Sequence, residues 1–167
     1  TGLLYVKSGV VLEPIIYGGG QEFGLRSGTE SLASIAGLVT ALELAQKARK
    51  TNFESMECLQ KEFLIQLDNK ISSHVINGSL KNRLPNNLNV CFAGQDNERL
   101  IILLDKLGFQ VASGSACSAS NDETSHVLRA IGLDDSQIRS SLRFSMGRFT
   151  TIQEIEKLVD CLSAIIE

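Results

Sequence analysis

Apolar positions recur along this chain at two spacings, and the switching between them sets out an order of elements. Leu3-Leu4-Tyr5-Val6 is a run of strand formers closed by Lys7-Ser8-Gly9, and Val10-Val11-Leu12 leads through Pro14 to Ile15-Ile16-Tyr17. Beyond a glycine-rich stretch the spacing lengthens. Leu32, Ile35, Val39 and Leu42, with Ala36 and Ala45 beside them, make one helical stripe. Lys47-Ala48-Arg49-Lys50 puts positive charge at its C-terminal end, where the helix dipole favours it. Thr51-Asn52 interrupts the stripe, and Thr51 with Glu54 has capping-box spacing. A second helix is expected from there through Phe53, Met56, Leu59, Phe63, Leu67 and Ile71. The interruption fits a kink or a domain boundary. We read it as a boundary, dividing residues 1–50 from 51–167.

After the turn signal Asn77-Gly78 a polar stretch runs to Pro85-Asn86-Asn87, and Leu88 to Phe92 reads as a strand. Asp96 is placed to cap a helix through Leu107, with Gly108 as its C′ residue. Phe109-Gln110-Val111 is expected as a brief strand, and Thr124 to Ile131 as a short helix closed by Gly132. Ser141-Leu142-Arg143-Phe144-Ser145-Met146 alternates with period two. Thr151 and Glu154 form a capping box for a last helix whose buried face is Ile152, Ile155, Val159, Leu162 and Ile166. Helices alternating with short strands after Thr51 predict a small α/β (or α+β) domain, with helices packed on a short-stranded sheet. Residues before Thr51 supply too few elements for a core of their own and read as the remnant of a larger domain.

Bulk properties narrow the class. Hydrophobic residues are 43% and charged residues 21% of the 167, ordinary for a globular protein. A net charge of -3 gives no electrostatic reason to expect nucleic acid or an anionic membrane as partner. No apolar run reaches the roughly 18 residues of a membrane span. The chain starts at Thr1 with neither an initiating methionine nor a signal-peptide pattern, and is read as a fragment or a processed piece. Cys58, Cys91, Cys117 and Cys161 form no CxxC pair, which argues against zinc, and a reducing cytoplasm is the simplest setting.

Three features carry candidate chemistry. Glycines at 18, 19, 20, 24 and 28 free the backbone between Tyr17 and Thr29 without matching GxGxxG or a P-loop. The stretch is either a surface loop or an anion cradle, in which Arg26, Ser27, Thr29 and backbone N–H groups stand at the mouth of a helix. Cys58, Cys91 and Cys161 sit in apolar patterns, whereas Cys117 lies in Ser113-Gly114-Ser115-Ala116-Cys117-Ser118-Ala119-Ser120. That run is a bland connector or a reachable loop carrying a nucleophile, better suited to sulfur handoff than to a fixed triad. His74 and His126 are the available imidazoles, and both read as structural or surface residues. Arg143, with Arg139 and Arg148 nearby, is either an ion-paired surface residue or a bidentate carboxylate binder.

Taken together, three segments carry a resemblance. Gly18 to Thr29 (GGGQEFGLRSGT) resembles the GGG-x-E-x-G-x-R-S-G-T signature of the cysteine desulfurases, the NifS/IscS class. Ser113 to Ser120 is similar to that family's active-site cysteine loop, and Ser140 to Thr150 to its C-terminal strand motif. Phe23 stands where many relatives carry Arg. The resemblance implies the C-terminal part of a fold-type I, pyridoxal-phosphate (PLP) enzyme of the class V aminotransferase group, acting as a homodimer. Such an enzyme takes sulfur from L-cysteine, releases L-alanine and passes the sulfur to an acceptor protein. By correspondence Cys117 is the nucleophile, Arg143 binds the substrate α-carboxylate, and Thr29 reaches the cofactor phosphate of the other subunit. The lysine that anchors the cofactor has no counterpart in this chain, and Lys7 lacks its Ser-x-His-Lys context, so the isolated chain is expected to be inactive. Selenocysteine lyase, cysteine sulfinate desulfinase and a non-catalytic sulfur carrier are the alternatives. The acceptor pathway, iron–sulfur assembly or tRNA thiolation, stays open.

Overall fold

Asn87 to Phe92 and Ser141 to Met146 both alternate in polarity, and each places its apolar set on one side of a shared sheet. The computed structural model describes residues 1–114 and 124–166. In it β1 (His74–Ile76), β2 (Asn87–Phe92) and β3 (Ser141–Ser145) form an antiparallel sheet in the order β1-β2-β3. Val90 pairs with Ile76 on one side and Leu142 on the other. Internal contacts divide the chain into two units, Thr1–Arg49 and Lys50–Glu167.

Within residues 50–167, helices cover one face of the sheet. Leu88, Val90 and Phe92 of β2 and Leu142 and Phe144 of β3 meet Leu59, Phe63 and Leu67 of α1 (Leu32–Lys70). Leu100 and Leu104 of α2 (Asn97–Lys106) and Ile155, Leu158, Val159 and Leu162 of α5 (Ile152–Ile166) complete the core. Phe144 is the hub: its ring stands edge-on to Phe63 at 5.1 Å and to Phe92 at 6.3 Å. Such edge contacts add about 0.5–1.5 kcal/mol to the burial itself. Leu158 joins this core although the expected face did not include it, while Ile152 stays outside it at 38% exposure.

The caps expected of the helices are present. The Asp96 carboxylate accepts the Arg99 N–H at 2.9 Å and opens α2. Gly108 closes it with φ +87°, its N–H bonded to the Asp105 carbonyl, and the Phe109 N–H returns to the Leu104 carbonyl. That is a Schellman ending, and it turns the chain toward the outer edge of β3. Thr151 and Glu154 exchange reciprocal bonds at the start of α5. Two short helices, α3 (His126–Ala130) and α4 (Asp135–Arg139), lead into β3, and α4 was not foreseen. Its start is a capping box between Asp134 and Gln137.

Several expectations are corrected. Among the described residues no strand precedes His74, so the runs at Leu3, Val10 and Ile15 form none. A strand exists only through a partner's backbone, and these side chains lie open, Val11 at 89% and Ile15 at 90% exposure. The helix also does not restart at Thr51, because α1 is continuous from Leu32 to Lys70. Thr and Asn each cost only several tenths of a kcal/mol inside a helix, ~0.7 at most. A gap in the apolar stripe therefore leaves the backbone ladder intact. Phe109 to Val111 form no strand either, and an isolated bridge pairs Ala112 with Arg143. No described helix is long and apolar enough to cross a membrane.

Candidate functional site

The sheet's other face is polar, and Arg143 belongs to it. Leu142 and Phe144 turn into the core, so Ser141, Arg143 and Ser145 face away from it, with Asn87, Asn89 and Cys91 beside them on β2. Arg143 is half-buried and exchanges both backbone hydrogen bonds with Ala112 at the sheet edge. Among the described residues its guanidinium meets no carboxylate. The surface ion-pair reading has no partner there, and a charged fork is left to accept an anion from outside.

A buried polar cluster backs this face. Asn77 Nδ2 donates to Asn89 Oδ1 at 2.6 Å and to Ser141 Oγ at 2.9 Å, and the Ser141 hydroxyl donates to the Gln137 carbonyl at 2.7 Å. Asn97 Nδ2 reaches the carbonyls of Ile138 and Ser141, fixing the start of β3 to α2. Burial pushes the Cys91 thiol up, with the nearby Asp134 charge acting the same way. A thiol so placed is inert at neutral pH, which fits its structural reading. Arg83 donates to the Asn77 carbonyl, and burial lowers its pKa from the usual guanidinium range.

In the 1–49 unit, the glycine-rich stretch closes on itself. The Ser27 N–H meets the Ile16 carbonyl, the Gly20 N–H meets Ser27 Oγ, and the Gly28 N–H meets Gln21 Oε1 at 2.9 Å. The cradle is therefore narrower than the sequence suggested, because three of its amides are already taken. Gly28 holds φ +121°, a backbone conformation that favours glycine over any residue with a Cβ. Glu22 and Phe23 adopt positive φ at a one-turn 3-10 helix, with Phe23 fully exposed. Thr29 is exposed where this turn feeds the start of α1.

Of the residues singled out from sequence, Arg143 lies in the sheet unit and Thr29 in the other, while Cys117 falls outside the described residues. His74 places Nδ1 2.7 Å from the Ile71 carbonyl and Nε2 3.3 Å from Asp68, a structural placement as expected. Asn77 and Asn89 were missed. The alternation of Asn87 and Asn89 with Leu88 and Val90 was visible, but their register against Arg143 was not.

Known proteins align with this arrangement throughout. The profile of the family "Aminotransferase class-V" matches residues 1–158. The cysteine desulfurase IscS of Dictyoglomus turgidum is 40% identical over 167 residues, covering 100% of this chain and 42% of that protein. The mitochondrial cysteine desulfurase of Arabidopsis thaliana is 42% identical over 162 residues, 96% of this chain and 35% of its own length. A solved NifS-like protein superimposes with a TM-score of 0.83 at 31% identity, over 97% of this chain and 41% of that one. The chain thus spans about two-fifths of the length of such relatives, and it belongs to the class V aminotransferase family.

Proposed function

We propose that this chain supplies the carboxylate-binding and sulfur-accepting part of a PLP-dependent cysteine desulfurase. The observation that carries the reading is Arg143, a guanidinium on the sheet face opposite the apolar core with no carboxylate partner among the described residues. It is bridged to Ala112, five positions before Cys117 in the sequence. Relatives named cysteine desulfurases align over the whole chain, which supports L-cysteine as substrate.

In this reading residues 1–50 belong to the cofactor domain and residues 51–167 form the small domain. The Arg143 fork holds the α-carboxylate of L-cysteine and orients its side chain. The Cys117 thiolate forms a bond to the substrate sulfur as the substrate's carbon–sulfur bond breaks. Electrons from the broken bond stay with carbon, which takes up a proton and leaves as L-alanine. Cys117 retains the sulfur as a persulfide and passes it to an acceptor protein in the cytoplasm. Bound PLP supplies the electron sink that makes that bond breakable. Thr29, exposed beside the start of α1, fits a hydrogen-bond donor to its phosphate across a homodimer. The anchoring lysine comes from outside this sequence.

The test uses a polypeptide that joins this sequence to the rest of the class V fold, with PLP, L-cysteine and a thiol reductant supplied. We expect L-alanine and sulfide in equal amounts and loss of both in Cys117→Ser. Arg143→Lys should raise KM for L-cysteine about tenfold or more, since a lysine cannot reproduce the bidentate fork. Full turnover by Cys117→Ser, or an unchanged KM in Arg143→Lys, would overturn the assignment.

A further inference from the structure

Asn77, Asn89 and Arg143 stand in one row across the three strand positions of the sheet, on the face opposite the apolar core. Asn77 extends the β1 ladder by donating its backbone N–H to the Asn89 carbonyl at 2.9 Å, and Asn89 is the register partner of Arg143. The direction of the backbone bonds defines how closely that second pair approaches. Asn89 turns its carbonyl to β1, whereas Arg143 gives both its backbone groups to Ala112 on the opposite edge. Asn89 and Arg143 are therefore a non-hydrogen-bonded antiparallel pair, the kind whose Cα atoms lie about 4.5 Å apart and whose side chains are closest.

The hydrogen-bond chain behind them determines which way the Asn89 amide points. The Ser141 hydroxyl has one proton and gives it to the Gln137 carbonyl, which can only accept. Ser141 Oγ must then accept from Asn77 Nδ2, whose second proton goes to Asn89 Oδ1. Asn89 thus has its oxygen turned toward β1 and its NH2 toward β3, where Arg143 stands. Among the described residues, no acceptor is recorded for that NH2 or for the Arg143 guanidinium. Two adjacent donors, one charged and one neutral, match a group with two acceptor oxygens, such as a carboxylate.

We infer that Asn89 is a second carboxylate-binding residue, donating from Nδ2 to one substrate oxygen while Arg143 holds the other. Asn77 and Ser141 are positioning residues that act by locking the Asn89 amide. This inference rests on the reading of Arg143 as a carboxylate binder. It adds a geometric requirement, because a two-point clamp prefers a carboxylate over a spherical anion of equal charge.

The test is a titration of the full chain with sodium propionate against sodium chloride at matched ionic strength. Nitrogen NMR would follow the Asn89 side-chain NH2 and the Arg143 Nε in the wild-type protein. We expect both signals to shift saturably with propionate, to share one apparent Kd, and to stay in place with chloride. Asn89→Ala should weaken the Arg143 response about ten- to a hundredfold, the range for a hydrogen bond to a charged group. Asn89→Asp should abolish it, since its carboxylate would occupy the Arg143 fork. A saturable Arg143 shift with a static Asn89 NH2 would overturn the role of Asn89 and leave Arg143 standing. No shift at either residue would overturn both. The Asn89 signal is read in the wild-type protein, so loss of folding in a variant cannot imitate either result.

Discussion

The two units of this chain carry similar apolar patterns and put them to opposite use. In residues 50–167 the positions Leu59, Phe63 and Leu67 of α1 are almost completely buried against β2, β3 and α5. In residues 1–49 the same helix displays Leu32, Val39 and Leu42 with at least half of each side chain exposed, and the runs at Leu3 and Val10 are open too. Ser27 is the buried residue of that unit, held by a loop hydrogen bond and not by a core. An apolar stripe predicts a helix in both places, but it stabilises only where a second surface completes it. Helix formation is local, whereas burial depends on what else is present.

The sharpest way to break the contrast is to truncate one residue on each side of it. Phe63→Ala removes a ring that packs edge-on to Phe144, and should cost about 3–5 kcal/mol in denaturant unfolding. Next in size is Thr151→Ala, which removes the cap of α5 and should cost about 1 kcal/mol. Hydrogen bonds from the Thr151 backbone N–H, and then from its hydroxyl, hold the Glu154 carboxyl below the usual carboxylate range. Its contribution is complete above the unfolded pKa of about 4.3 and is lost as pH falls through the lower folded value. Glu154→Gln should therefore flatten the acid limb of a stability-versus-pH curve by lowering stability at neutral pH, the two proteins converging at the acid end where Glu154 is protonated.

Cys91 gives a smaller effect at the opposite end of the pH scale. Its folded pKa is raised, chiefly by burial, so its contribution is present below the unfolded thiol value of about 8.5. That contribution is lost as pH rises from there through the folded value, because the unfolded thiol ionises first. Stability should decline over that alkaline window, and Cys91→Ala should remove the thiol's part of the slope. The smallest effect is expected in the first unit. Leu42→Ser should change the unfolding free energy of residues 50–167 by less than ~0.5 kcal/mol. A loss comparable to that of Phe63→Ala would show that the two regions do not differ as described.

How much was legible in the sequence follows the same division between local and non-local causes. Helix caps at Asp96, Gly108 and Thr151 were readable because each motif lies within a few residues. The faces of β2 and β3 were readable from period-two alternation. Strands at Leu3, Val10 and Ile15 were overread, since propensity says nothing about whether a partner edge is present. The helix restart at Thr51 was overread because a stripe records burial and not backbone continuity. Arg143 was legible as a residue but not as a site. Its pairing with Asn89 depends on register between segments more than fifty positions apart, and the Asn77–Ser141 lock joins three segments. Short α4 was missed because one turn of helix has too little periodicity to read, although its Asp134–Gln137 box lay in plain sequence.

Sulfur transfer itself can be followed directly. The polypeptide joining this sequence to the rest of the class V fold would be given PLP and sulfur-isotope-labelled L-cysteine. The four cysteines of this sequence would then be compared by peptide mass spectrometry. The expected result is labelled sulfur on the peptide containing Cys117, released by a thiol reductant, with none on the peptides of Cys58, Cys91 or Cys161. Label on one of those three instead, or turnover of L-cysteine with no label on Cys117, would contradict the proposed function.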